Sequence, residues 1–239
     1  YYIIMLWIQK KKININMKNI QTKEKNGKKY FYYNKNKISP WHDISLKNGN
    51  LYNFVCEIPK WTRAKFEIET TEKYNPIIQD TENGKPRFYN WGDTLFNYGA
   101  FPQTWENPNI KSEYTNKPGD NDPLDVVEIG VGSLKKGAVV PVKVIGIIPL
   151  IDSDETDWKV IAISKYDKFF KKIDNLNDLE KYMPGFLDAI TNWLTNYKSI
   201  SKGIINKIKT INGKKVGDKK FAEKIIEETH NEWLKLTDI

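Results

Sequence analysis

The chain has 239 residues, 39% of them hydrophobic and 13% aromatic, which is enough for a folded core and excludes global disorder. Its net charge of +8 is not spread evenly: residues 1–40 carry +9 and the other 199 residues carry −1, which argues against a nucleic-acid-binding groove in the domain. The single cysteine, Cys56, excludes an intramolecular disulfide and favours a reducing, cytoplasmic compartment, and no stretch approaches the roughly 18–20 apolar residues of a membrane span.

The first 28 residues are predicted to be a disordered or non-native extension, because they are rich in lysine and asparagine. Residues 1–8 are apolar, but three lysines follow this run, whereas a secretory signal places its positive charge first. Residues 1–16 are therefore candidates for translated upstream sequence with Met17 as the start, and a cleaved targeting segment is the alternative. Ordered structure is expected from Lys29, so residues 29–239 are predicted to form a single domain.

Residues 30–33 and 51–58 are predicted to be strands, because aromatic and β-branched residues are frequent in them and a turn-forming Asn-Gly-Asn precedes the second. Alternation of apolar and charged residues then continues to residue 69. Glu57, near the end of the second strand, is expected to share one face of a hairpin with Lys65 and Glu67. An ordinary solvated face is the alternative interpretation.

Residues 75–119 lack a regular pattern and are rich in proline, glycine, asparagine and aromatic residues. A long irregular stretch inside a compact domain is often functional. Arg87 and Tyr98 lie in it and are candidate site residues. For Tyr98, a buried core ring with a satisfied hydroxyl is the alternative.

Three carboxylates, Asp120, Asp122 and Asp125, fall within six residues. Gly119 and Pro123 interrupt them, which predicts a tight turn that leads into an apolar strand. Crowded carboxylates repel each other unless a cation lies between them, and oxygen ligands suit hard cations such as Mg²⁺ or Mn²⁺. A solvated turn is the alternative, which is weakened here because rigid residues hold the acids beside a buried strand.

A long β-branched strand is predicted at residues 139–150, with a bulge or a close backbone approach at Gly146. An acidic loop is predicted over residues 152–159, before another strand at 160–163. This second acidic cluster would complete an ion site, and a solvated hairpin turn is the alternative. Its candidate site residues are Asp152, Asp157 and Lys159.

Helices are predicted only in the last third of the chain. A short helix is expected at residues 175–182, and Pro184 suits the first turn of the next one. Apolar residues at helical spacing give this second helix one buried face, and Tyr197 and Lys198 close it. Asp218 is expected to cap a final amphipathic helix. Strands first and helices after predict an α+β fold with a closed or half-closed barrel.

The candidate site residues named so far are carboxylates, cations and tyrosines, and one kind of ligand should explain why they occur together. Carboxylates hold divalent metals, and metals, lysine, arginine and tyrosine hold phosphate oxygens, so a metal–phosphate ligand explains the whole set. The groups are Glu57 with Lys65 and Glu67, Arg87 with Tyr98, Asp120 with Asp122 and Asp125, Asp152 with Asp157 and Lys159, and Tyr197 with Lys198.

The sequence resembles the soluble family I inorganic pyrophosphatases, closest to the eukaryotic type, over about residues 30–236. Asp120-Asn-Asp-Pro-Leu-Asp-Val126 matches the family signature. A DxD motif alone is weak evidence, but the flanking blocks occur in the family's order, which makes the set specific. These blocks are Glu57-Ile-Pro-Lys-Trp-Thr-Arg-Ala-Lys-Phe-Glu67, Pro76-Ile-Ile-Gln-Asp80, Asn97-Tyr-Gly-Ala-Phe-Pro-Gln-Thr-Trp-Glu106 and Glu155-Thr-Asp-Trp-Lys-Val160.

The resemblance implies a five-stranded OB-like β-barrel with flanking helices, and Mg-dependent hydrolysis of inorganic pyrophosphate to two orthophosphates. It also implies three or four Mg²⁺ ions per site, with Mn²⁺ or Zn²⁺ as substitutes, and a homodimer. Asp122 is implied to activate the attacking water, with Lys65, Arg87 and Tyr98 as further catalytic residues. The implied metal ligands are Asp120, Asp125 and Asp157, then Asp152 and Glu67 for ions that arrive with substrate, and Glu57 in support. The implied phosphate-binding residues are Lys65, Arg87, Tyr98, Lys159, Tyr197 and Lys198.

One departure from the family pattern is the stretch between Arg87 and Tyr98, which is shorter than expected for the eukaryotic type. The family's dimer contacts involve this neighbourhood and the region of Trp61, so the departure bears on dimer geometry and not on the flanking site residues. Two other classes of protein are alternatives. A DxD nucleotide-sugar transferase would need a nucleotide-binding half, which is not found in the sequence. An OB-like nucleic-acid binder would need basic and aromatic residues interleaved on the barrel, whereas residues 41–239 carry a net charge of −1. The predicted partners are pyrophosphate and a second copy of the chain, with no nucleic acid and no membrane.

Overall fold

The computed structural model describes residues 15–237, so the expectations for residues 1–14 and for the last two residues lie outside the described residues. The strands are β1 Ile20–Lys25, β2 Lys28–Tyr33, β3 Asn36–Ile38, β4 Lys47–Asn48, β5 Leu51–Ile58, β6 Phe66–Ile68, β7 Ile77–Gln79, β8 Thr81–Glu82, β9 Lys85–Pro86, β10 Asn97–Ala100, β11 Asp125–Glu128, β12 Val139–Asp152, β13 Glu155–Ser164, β14 Lys207–Ile208 and β15 Gly217–Asp218. The helices are α1 Leu176–Tyr182, α2 Phe186–Asn196, α3 Ser199–Lys202 and α4 Lys219–Thr237.

Five strands close into a barrel in the order β12, β13, β11, β10 and β5, and β5 pairs back onto β12. Neighbouring strands are antiparallel except β11 and β13, which run parallel. β5 is buried along its whole length because it pairs on both sides inside the ring. The predicted α+β class and the predicted five-stranded barrel with flanking helices are confirmed.

The long strand β12 carries the irregularity that the sequence predicts. Its register with β13 shifts between Val144 and Gly146. A Cβ on Gly146 would lie 2.8 Å from the carbonyl oxygen of Gly217 and 2.9 Å from the side chain of Leu176. Glycine is therefore needed here for β15 and α1 to approach the barrel closely.

Ordered structure begins earlier than residue 29, the start expected from composition. β1 pairs with β2 over its full length, so residues 20–33 form a hairpin. Its turn residues, Asn26 and Gly27, have φ angles of 53° and 74°, and Asn-Gly is the favoured pair for such a type I′ turn. The hairpin is held because Phe31 on β2 is fully buried in a cluster that also contains Trp233.

β5 and β6 do not form the hairpin expected for Glu57, Lys65 and Glu67. β6 pairs with β7 in a second sheet that also contains β1, β2 and β3. Pro59 follows β5 directly, and Trp61 adopts a φ of 66°, so the chain turns out of the barrel sheet. The three side chains are brought together between two sheets and not across one hairpin.

Four α-helices lie in residues 15–237, and the longest, α4, packs on the barrel strand β12 through Ala222, Ile225 and Ile226. The carboxylate of Asp218 accepts a hydrogen bond from the backbone N–H of Phe221 at 2.9 Å, so the predicted cap is confirmed. None of these helices has both the length and the apolar character that crossing a membrane requires.

Two predicted boundaries are wrong. α2 begins after Gly185, whose φ of 72° is left-handed, so Pro184 precedes the helix instead of occupying its first turn. The predicted acidic loop is only a turn at residues 153–154, and Asp157 and Lys159 lie on β13. Strand geometry places these two side chains on the same face, where they form an ion pair.

Candidate active site

One cleft of about 190 Å³ opens beside the barrel, between its strands, the turn before β11, strand β6 and the end of α2. All thirteen site residues that the sequence predicts line this cleft, although they come from five separate groups along the chain. They are Glu57, Lys65, Glu67, Arg87, Tyr98, Asp120, Asp122, Asp125, Asp152, Asp157, Lys159, Tyr197 and Lys198.

The turn before β11 presents three carboxylates to the cleft. The backbone N–H of Asp122 donates to Asp120 Oδ1 at 3.0 Å, which fixes the turn. A Cβ on Gly119 would lie 2.4 Å from the backbone of Glu106, so only glycine allows these segments to touch. β11 then begins at Asp125, whose position is set by the barrel ladder.

Lys159 is buried between Asp125 and Asp157. Its Nζ lies 2.5 Å from Asp125 Oδ2 and also contacts Asp157. Burial opposes the charge on Lys159, but the two carboxylates outweigh it and raise the pKa of Lys159 well above its ordinary value. Tyr98 donates its hydroxyl to the same Asp125 oxygen at 2.5 Å. The register of β11 on β13 brings Asp125 and Lys159 together, because it places them opposite each other.

Glu106 belongs to the site although no role was assigned to it from sequence. Its Oε1 accepts a hydrogen bond from the N–H of Trp158 at 3.0 Å, whereas its Oε2 is buried without a hydrogen-bond partner. Carboxylate oxygens of Glu106, Asp120 and Asp157 lie within 4.8 Å of one another. Burial and the charge of Asp120 raise the pKa of Glu106 well above its ordinary value. This group fits a divalent cation, which would satisfy the orphaned oxygen and remove the repulsion.

Lys65 and Arg87 are held by one carboxylate, Asp80. Lys65 Nζ lies 2.9 Å and Arg87 Nη1 lies 2.8 Å from the same Asp80 oxygen, and Lys65 also pairs with Glu67. Burial opposes the charge on Asp80, but the two cations outweigh it and lower the pKa of Asp80. Asp80 ends one of the matching sequence blocks, yet only the fold shows that it orients two phosphate-binding candidates.

Tyr197 and Lys198, just after α2, both bind Asp152 at the end of β12. The Tyr197 hydroxyl donates to Asp152 Oδ2 at 2.7 Å, and the Lys198 ammonium contacts Oδ1. Burial opposes the charge on Asp152, but these hydrogen bonds outweigh it and hold the pKa of Asp152 below its ordinary value. The helical layer and the barrel are therefore joined at the cleft.

Asp122, Asp157 and Glu57 are in surroundings that disfavour a negative charge. Burial and the charge of Asp125 raise the pKa of Asp122 to about 7, and burial with the same charge raises the pKa of Asp157 to about 7. Burial also raises the pKa of Glu57 well above its ordinary value, although Glu57 accepts a hydrogen bond from the N–H of Ile68 at 2.7 Å. Bound cations would reverse these shifts, since a positive charge stabilises each carboxylate.

The model of the inorganic pyrophosphatase family matches residues 54–234. The chain belongs to the inorganic pyrophosphatase family. It is 47% identical over 206 residues to the inorganic pyrophosphatase of Candida glabrata. This match covers 83% of this chain and 71% of the relative. It is 43% identical over 203 residues to inorganic pyrophosphatase 1 of Caenorhabditis elegans, which covers 82% of this chain but 47% of the relative. The chain thus spans about half the length of the second protein.

A solved structure in this family has the same fold. The N-terminally truncated vacuolar soluble pyrophosphatase of Trypanosoma cruzi, crystallised in complex with PPi, has a TM-score of 0.85 and 43% identity to this chain. The match covers 92% of this chain and 91% of that one. The family resemblance predicted from sequence is therefore confirmed.

Proposed function

We propose that this protein hydrolyses inorganic pyrophosphate to two orthophosphates with the help of divalent metal ions. The observation that carries the proposal is a single cleft in which the half-buried Asp120 and the buried Asp157, backed by Glu106, are combined with the cations Lys65 and Arg87. Phosphoryl transfer depends mainly on positioning and charge neutralisation, which is what such a cleft supplies. Membership of the pyrophosphatase family supports this choice of substrate.

Mg²⁺ is the proposed working ion, at three or four per site, with Mn²⁺ or Zn²⁺ as substitutes. When bound, such an ion lowers the pKa of a coordinated water and neutralises phosphoryl charge. The all-oxygen donor set supports a hard cation, and the orphaned Glu106 oxygen supports a cation next to it. The proposed ligands are Asp120, Asp125 and Asp157 for resident ions, Asp152 and Glu67 for ions that enter with substrate, and Glu57 in support.

Asp122 is proposed to take the proton of the attacking water. Its carboxylate lines the cleft beside Asp120 and Asp125, and nearby cations would keep it ionised and able to accept a proton. The water oxygen bonds to one phosphorus, the bridging P–O bond breaks, and the second phosphate leaves. The residues proposed to hold the phosphoryl oxygens are Lys65, Arg87, Tyr98, Lys159, Tyr197 and Lys198, each placed at the cleft by a carboxylate or a barrel strand.

A homodimer and a cytoplasmic location are further proposals. Trp61 and Trp91 are 56% and 40% exposed and line one surface pocket of about 420 Å³, an aromatic patch of the kind found in interfaces.

Cys56 is free and buried, which fits a reducing compartment. Fractionation of cells with an antibody to the protein would test the compartment, which varies in the family, since the T. cruzi relative is named vacuolar.

The decisive experiment is release of orthophosphate from pyrophosphate by the purified chain. We expect turnover with Mg²⁺ and none in excess chelator, because the acidic residues of the cleft cannot neutralise phosphoryl charge by themselves. Ca²⁺ should inhibit, since its looser coordination would misplace the attacking water. Full turnover in chelator, or no turnover at any Mg²⁺ concentration, would refute the proposal.

A further inference from the structure

Three tyrosines line the cleft, and their hydroxyls are used differently. The Tyr98 hydroxyl donates to Asp125 at 2.5 Å, and the Tyr197 hydroxyl donates to Asp152 at 2.7 Å. The third, Tyr89, has no hydrogen-bond acceptor for its hydroxyl among residues 15–237. Its O–H group is therefore available to a molecule bound in the cleft.

The ring of Tyr89 is held in one orientation. It is 5% exposed, and it makes edge-on contacts with Trp193 at 4.9 Å and with Tyr197 at 5.5 Å between ring centroids. Its backbone N–H donates to the carbonyl oxygen of Arg63 at 2.8 Å. A hydroxyl fixed in this way loses little conformational entropy when it binds a ligand.

The charges around Tyr89 indicate which ligand atom its hydroxyl would meet. Lys65, Arg87 and Lys159 act on it as nearby cations, and Asp125 acts as a nearby anion. Burial outweighs the cations and raises the pKa of Tyr89 well above its ordinary value, so the hydroxyl keeps its proton and acts as a donor. A neutral donor among three cations suits an anionic oxygen as its acceptor.

We propose that Tyr89 is a further catalytic residue, whose hydroxyl donates a hydrogen bond to a phosphoryl oxygen of the ligand held by Lys65 and Arg87. This inference rests on the proposed function and adds one donor to its site. Tyr89 comes from the shortened stretch between Arg87 and Tyr98, so the segment that departs from the family pattern contributes directly to the cleft. The same bond forms with pyrophosphate and with the product phosphate, because both present charged phosphoryl oxygens.

The test compares the wild type with Tyr89→Phe and with a matched control, Tyr52→Phe. Tyr52 is 4% exposed and lines a different cavity, so its variant reports the loss of a buried tyrosine hydroxyl elsewhere. Binding of inorganic phosphate with saturating Mg²⁺ is measured by calorimetry, and pyrophosphate hydrolysis by phosphate release. For Tyr89→Phe we expect the phosphate Kd and the pyrophosphate KM to rise about tenfold, the usual effect of losing a hydrogen bond to a charged group.

The kcat of Tyr89→Phe should change less than its KM, because the bond is made before and during the reaction. Its melting temperature without ligand should match that of Tyr52→Phe, since the ring contacts remain. Unchanged phosphate affinity in Tyr89→Phe, an equal loss in Tyr52→Phe, or no phosphate binding by the wild type would overturn the inference. If the wild type binds phosphate but does not hydrolyse pyrophosphate, the proposed function fails, and the phosphate Kd values still decide the role of Tyr89.

Discussion

At the scale of single residues, five carboxylates in and around the cleft form two groups. Asp80 and Asp152 each bind two cleft residues, and these hydrogen bonds lower their pKa values despite burial. Glu106, Asp120 and Asp157 crowd together, so burial and mutual repulsion raise their pKa values. The first group orients phosphate-binding side chains, and the second has the charge and geometry to hold a cation.

Asp122→Asn tests the proposed general base. The substitution keeps the shape of the side chain and removes its ability to accept a proton, so kcat should fall roughly 10²–10⁴-fold. Mg²⁺ affinity, measured by calorimetry, should change little. Asp125→Asn is the matched control and should weaken Mg²⁺ binding directly, because it removes a proposed ligand. Recovery of full turnover by Asp122→Asn at high Mg²⁺ would show that Asp122 is a ligand.

Without bound metal, the stability of the folded protein should decrease as the pH rises. Asp157 has a pKa raised to about 7 in the metal-free fold, so the folded state binds more protons than the unfolded chain near neutrality. Its contribution to stability is therefore present at low pH and is lost as the pH rises through about 7. In chelator we expect the melting temperature to fall as the pH rises from about 5 to about 7 and to level off above that, and Mg²⁺ to restore it.

Glu106→Gln provides the comparison, because it removes one ionisable carboxyl group from the same cluster with little change in side-chain size. The fall in melting temperature between about pH 5 and about pH 7 should be smaller in this variant than in the wild type. Equal pH dependence in both proteins would mean that the crowded carboxylates do not control the stability of the metal-free fold.

At the scale of elements, the approach of β10 to β5 decides whether the barrel can close beside the cleft. A Cβ on Gly99 would lie 2.0 Å from the carbonyl oxygen of Val55 and 2.9 Å from the backbone nitrogen of Glu57. Gly99→Ala should therefore destabilise the protein by about 2–4 kcal/mol, since backbone cannot move aside easily. Gly132→Ala, where the Cβ meets nothing within 4 Å, should be nearly neutral. Denaturant unfolding of the two variants checks this, and equal stabilities would contradict it.

The hairpin of β1 and β2 should contribute to the stability of the protein. A chain of residues 15–239 retains β1 and the buried side chain of Ile15, and a chain of residues 29–239 loses both. Burial of an isoleucine alone contributes about 1.5–3 kcal/mol, so the shorter chain should melt at a lower temperature. Its pyrophosphatase activity at low temperature should persist, because no residue of β1 lines the cleft. Equal melting temperatures would support the domain boundary expected from composition.

At the scale of the whole molecule, the exposed side chains of Trp61 and Trp91 form an aromatic patch, and neither residue lines the cleft. Light scattering should give twice the chain mass of 28.0 kDa if Trp61 and Trp91 lie in a dimer interface. Trp61→Lys should then give the monomer mass. Tyr166→Lys is the control, since Tyr166 is 71% exposed outside this patch. A wild-type monomer would show that the shortened stretch between Arg87 and Tyr98 does not support a dimer.

Much of the fold follows from local pattern. The β-branching of residues 139–150 indicates the long strand, and Gly146 marks its bulge because a glycine in a strand interior signals close approach. The Asp218 cap follows from its place before an amphipathic run. The Asn26-Gly27 turn was equally local, but the lysine-rich composition around it favoured disorder over a hairpin. These features need only neighbouring residues, which is why sequence alone determines them.

The sequence by itself determined most of the residue types in the site, since the matching blocks carry nine of the thirteen predicted residues that the cleft brings together. Only the tertiary structure decided which of them touch. Asp80 between Lys65 and Arg87, and the orphaned oxygen of Glu106, depend on segments that are distant in the chain. The physical reason is that the charge state of a buried group depends on its neighbours in space, and barrel closure, not sequence spacing, chooses those neighbours.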